Sequence, residues 1–78
     1  MSVTQIDYIL ANKLKEQNIT VIDTSTAVAD EITVTVNDEI YYIIKIHADV
    51  FNIENNSSRK ILVEDGSRYD VISFLSNI

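Results

Sequence analysis

The chain has 78 residues, a formal charge of −6 from twelve Asp/Glu against six Lys/Arg, and 46% hydrophobic residues. Its length makes one domain over 1–78, which buries only about 60–65% of its unfolded surface, and its apolar content is too high for disorder. The absence of cysteine excludes disulfides and thiolate metal sites, and no run approaches the roughly 20 apolar residues of a membrane-spanning helix.

Residues 2–17 read as a helix. Val3, Ile6, Leu10 and Leu14 recur at spacings of three and four, with Ile9 on the flank. Ser2 with Gln5 forms a capping box, and Thr4 with Asp7 is an alternative start. Lys13 and Lys15 suit the negative end of the helix dipole, and Asn18 suits the stop. This polar opening lacks the basic and apolar regions of a secretion signal, so the expected compartment is the cytoplasm.

The β-branched run Ile19–Thr26 predicts a first strand, and Glu31–Val36 and Ile40–His47 alternate as a second and third. Val50–Glu54 and Lys60–Glu64 supply a fourth and fifth, separated by the loop 55–59. Gly66 is the only glycine, in a turn over 64–67. Ser67 then caps a last helix with Asp70 three residues on, and Val71, Phe74, Leu75 and Ile78 form its apolar stripe. Helix, four or five strands on short connections, and helix predict an α+β two-layer sandwich. Its sheet is an antiparallel meander with both helices on one face.

Register decides which side of the third strand is buried. A two-residue turn at Asn37-Asp38 aligns Ile32, Val34 and Val36 with Glu39, Tyr41 and Ile43. A three-residue loop over 37–39 aligns them instead with Ile40, Tyr42 and Ile44, placing both strongly apolar rows on one face, and this is the expected arrangement. It requires Asp38 or Glu39 to take a left-handed conformation that such loops usually give to glycine. Tyr41, Ile43, Lys45, His47, Thr33 and Thr35 are then expected on the open face.

No catalytic signature emerges. His47 is the sole histidine, and its spacing to Asp49 offers no more than part of a metal site. The acidic pairs Asp30-Glu31, Asp38-Glu39 and Glu64-Asp65 fall at turns, where carboxylates keep loops solvated. A single glycine cannot build a phosphate-binding loop, and there is no basic stripe for direct nucleic-acid contact. The expectation is a non-enzymatic protein with no cofactor, no metal and no membrane partner.

The charge distribution has a pattern. No basic residue occurs between Lys15 and Lys45, an interval that holds Asp23, Asp30, Glu31, Asp38 and Glu39. A one-signed negative field attracts basic surfaces and speeds encounter with them. With Tyr41 and Ile43 as apolar contacts, these five acids make the expected partner-binding set. In size, acidity, α+β order and lack of catalytic residues, the chain resembles small acidic inhibitors encoded by phages and mobile elements, anti-CRISPR proteins among them. The resemblance implies acidic side chains standing in for nucleic-acid phosphates, in the basic groove of a nuclease or other nucleic-acid-binding protein. The alternative is a structural or regulatory homodimer joined through the open sheet face or an edge strand.

Overall fold

Residues 8–78 are described by a computed structural model. The elements are α1 (Tyr8–Glu16), β1 (Thr20–Asp23), β2 (Asp30–Val36), β3 (Glu39–His47), β4 (Val50–Asn55), β5 (Ile61–Gly66) and α2 (Arg68–Ser76). The strands form one sheet in the order β1-β2-β3-β4-β5, antiparallel throughout. This is the α+β meander that the sequence pattern predicts. The N-terminal cap alternatives at Ser2 and Thr4, together with Val3 and Ile6, lie outside the described residues.

Both helices cover the same face of the sheet. Leu10 and Leu14 of α1 and Val71 and Leu75 of α2 are buried against Ile32, Val34, Tyr41, Ile43, Phe51 and Ile53. Each helix turns an i, i+4 pair fully inward, as an amphipathic helix does on one face. Phe74 packs against this core, whereas Ile9 and Ile78 stay exposed.

The ends of the helices are chemically specified. α1 stops where Asn18 turns left-handed (φ 63°), and the Ile19 N–H donates to the Leu14 carbonyl at 3.1 Å. At α2, the Ser67 hydroxyl accepts from the Asp70 N–H (3.1 Å) while the Asp70 carboxylate accepts from the Ser67 N–H (2.9 Å), a complete capping box. The glycine ends β5 rather than lying in the turn expected over 64–67. Gly66 stands opposite Phe51 and is buried, and a side chain there would run into Val63 and Asp70.

The β2–β3 register corrects the expected one. Val36 pairs with Glu39, Val34 with Tyr41 and Ile32 with Ile43, so the turn is Asn37-Asp38 alone. Both residues are left-handed, at φ 52° and 66°, the conformation of the two-residue turn whose twist matches the flanking strands. Tyr41 and Ile43 therefore point into the core, 7% and 0% exposed, and are not contacts on an open face. Ile40, Tyr42, Ile44 and Ile46 take the outer side, since a one-residue shift turns over every side chain of a strand. The tertiary reason is β4: Ile43 stands opposite Ile53, and Phe51 lies on the same inner side, so the helix-facing layer is filled without the outer row.

Candidate binding face

Among the described residues, no helix or loop packs over the side of the sheet opposite the helices. Its middle row crosses all five strands as Ile22, Thr33, Tyr42, Glu54 and Ile61, each directly opposite the next. One step along the strands lie Glu31, Ile44 and Asn52, and on the other side Thr20, Thr35 and Ile40. Ile22, Ile40, Ile46 and Ile61 are exposed, and Tyr42 and Ile44 are half-buried. Apolar side chains in this number on one uncovered face exceed the scattered exposure normal for a surface.

The polar residues of this face are held in place. The Tyr42 hydroxyl donates to the Asn56 Oδ1. The Thr24 hydroxyl donates its one proton to the Glu31 Oε2 at 3.0 Å, so the Thr33 hydroxyl, also 3.0 Å away, must donate to Thr24. The Ser25 hydroxyl closes the same corner, accepting from the Glu31 N–H (2.9 Å) and donating to the Glu31 carbonyl (3.1 Å). Glu54 accepts from the Arg59 Nε at 3.0 Å. Glu31 stands across from Ile44 on one side of β3, and Glu54 across from Tyr42 on the other. The apolar pair Tyr42/Ile44 is thus bracketed by two residues bearing carboxylates on flanking strands, their backbones about 12 Å apart diagonally across β3.

The five acids expected to act together are split. Asp23, Asp30 and Glu31 lie where β1 and β2 meet their connecting loop, and Asp38 and Glu39 lie at the far end of β2. Of these, Glu31 is on the open face. Asp23 stands opposite Ile32, and Asp30 opposite Lys45, so both share the helix side of the sheet. The Asp23 Oδ1 accepts from the Ser25 N–H, an Asx turn that leads out of β1. Glu39 accepts from the Asn55 Nδ2, and Asp38 occupies the turn itself. Glu54 and Ile22, absent from the expected set, are brought to the face by the register of β4 and the edge position of β1. The sequence signal for the corrected face was the Asn37-Asp38 dipeptide.

His47 is exposed at the end of β3, beside Val50. Among the described residues, no group of three or more His, Asp or Glu is placed to hold a metal. No described helix is long and apolar enough to cross a membrane. A groove of about 180 Å³ lies at the other side of β1, between that strand and α1. It is lined by Tyr8, Ala11, Asn12 and Lys15 of the helix and by Val21, Asp23 and Ile32 of the sheet. No protein-family model, characterised protein or solved structure matches the chain.

Proposed function

We propose that this protein is a non-enzymatic binding protein whose open sheet face docks on a basic surface of a partner protein. The observation that carries this reading is the Tyr42/Ile44 centre bracketed by Glu31 and Glu54, on a chain of net charge −6. An apolar centre supplies contact area, and carboxylates beside it select for Lys and Arg opposite. A basic nucleic-acid-binding groove has that chemistry, so the protein acts as an inhibitor that occupies such a groove in the manner of a nucleic-acid mimic. This is also the role of the acidic inhibitors of mobile elements that the chain resembles. A cysteine-free chain suits the reducing cytoplasm in which such a target works.

The test begins with affinity capture from the native host on the immobilised protein, followed by purification of what is captured. The expected partner is basic, and it dissociates when salt is raised, as ionic contacts are screened. It loses its nucleic-acid binding when the acidic protein is added. Tyr42→Ser, and Glu31→Lys combined with Glu54→Lys, should each abolish that competition. Competition that persists in both variants, or a partner that binds nucleic acid and the acidic protein together, removes the proposal.

A further inference from the structure

The two edges of the sheet are built differently. At β5, the pairing with β4 shifts register twice, and Asp65 is left-handed with its N–H bound to the Asn52 side chain. Such irregularity blunts an edge against further pairing. β1 has no such irregularity. Thr20, Val21, Ile22 and Asp23 pair in unbroken register with Thr35, Val34, Thr33 and Ile32.

That register fixes which backbone groups of β1 are used. The Thr24 N–H donates to the Glu31 carbonyl at 3.0 Å, so Thr24 and Glu31 occupy a hydrogen-bonding position of the ladder, with the Ser25 hydroxyl taking the Glu31 N–H in place of the second backbone bond. Such pairs alternate in an antiparallel ladder, so Ile22 and Thr20 also bond toward β2. The N–H and C=O groups of Val21 and Asp23 consequently point away from the sheet, along an edge that no other described strand pairs with. Their side chains line the groove under α1, and Ile22 stands on the open face, 56% exposed.

We infer that this edge pairs with β1 of a second copy of the chain, antiparallel about a two-fold axis at Ile22. In that register, Val21 of one copy bonds to Asp23 of the other and Asp23 to Val21, so each free backbone donor and acceptor finds a partner. The two Ile22 side chains meet at the axis, and the apolar rows of both open faces run on as one.

Charge complementarity selects the second copy as the occupant. A tight turn at 17–19 joins α1 to β1, so the two run in opposite directions. Lys15 therefore stands over the Thr20–Val21 end of the groove and Tyr8 over the Asp23 end, about 10 Å away. The two-fold axis brings Asp23 of the second copy beside Val21, under Lys15. Lys15 makes no ion pair among the described residues. Each interface thus gains two Lys15–Asp23 pairs related by symmetry, as an isologous contact requires.

Sedimentation velocity of the purified full chain over a range of concentrations tests this without any partner. It is also independent of the docking reading, because the edge contact engages Ile22 alone of that face and leaves its Tyr42/Ile44 centre free. A reversible dimer is expected. Lys15→Glu and Asp23→Lys each raise its Kd about tenfold or more, and the double variant Lys15→Glu/Asp23→Lys restores association. Asp23→Ala should also weaken the dimer. An acid that merely guards a bare edge would give the reverse, stronger association on Asp23→Ala, and that result overturns the inference, as does a monomer at every concentration.

The register has its own readout. The chain has no cysteine, and the two Ile22 positions form a non-hydrogen-bonded pair with Cα atoms about 4.5 Å apart, within disulfide reach. Ile22→Cys should cross-link rapidly under mild oxidation. Ile44→Cys in the middle of the open face, and Val28→Cys on the loop after β1, should lag far behind. Equal cross-linking of Ile44→Cys identifies face-to-face association instead and overturns the edge pairing.

Discussion

The ring of Tyr41 on β3 meets the ring of Phe74 on α2 edge to face, with centroids 6.2 Å apart and planes at 82°. This contact ties the middle strand to the last helix, and it exists because the two-residue turn points Tyr41 inward. Edge-to-face pairs add about 0.5–1.5 kcal/mol beyond the area they bury. Tyr41→Ala should therefore destabilise the protein by about 3–5 kcal/mol, most of the stability expected for a domain of this size. Tyr42→Ala, on the outer side, should cost much less. Urea unfolding of the two variants measures the difference, and equal losses would contradict the register.

The Asn37-Asp38 turn holds two non-glycine residues at positive φ. Replacing Asp38 with glycine relieves that conformation and gives the pair most favoured in this turn. Asp38→Gly is expected to raise stability by about 0.5–1 kcal/mol, read as an increase in the denaturation midpoint at unchanged slope.

Gly66 should tolerate no side chain. A Cβ there would lie 2.5 Å from a Val63 methyl and 3.1 Å from the Asp70 Cβ. Both neighbours are constrained, one by the sheet and the other by the capping box that starts α2. Gly66→Ala is expected to cost about 1–3 kcal/mol through overpacking, visible as a fall in Tm.

The Ser67–Asp70 box should contribute measurably to the seating of α2. Ser67→Ala leaves the Asp70 N–H without its acceptor and is expected to cost about 1 kcal/mol. Hydrogen exchange should show the loss first in the amides of the initial turn of the helix. Even loss of protection throughout the sheet would mean that the cap acts on the whole fold instead.

The element order was legible because each segment repeats its period cleanly: Leu10 and Leu14 on α1, Ile32 and Val34 on β2, Val71 and Leu75 on α2. The sidedness of β3 was not. Its two rows, Tyr41/Ile43 and Ile40/Tyr42/Ile44/Ile46, are both apolar, so hydrophobic alternation does not choose between them. Placing the longer apolar row in the core demanded a three-residue loop, against the turn chemistry of Asn37-Asp38. Local conformation was the better guide, because the inner layer was already supplied by Phe51 and Ile53 from β4. For the same reason the outer face carries Tyr42 and Ile44, while Tyr41 and Ile43 are buried. The grouping of the acids failed for a different cause. Asp23, Asp30, Glu31, Asp38 and Glu39 are close in sequence, but a strand of the length of β2 separates the ends it joins by about 20 Å.

A meander in which each strand bonds only to its neighbours in sequence also has a history during synthesis. Its hairpins close over short distances and zip quickly as the chain emerges. The last helix leaves the ribosome after every strand, and until it docks, Tyr41 and Phe51 lack part of their cover while the outer row is bare as well. For that interval the nascent sheet is oily on both sides, so the time between the appearance of β5 and the seating of α2 is when this small protein is most open to aggregation.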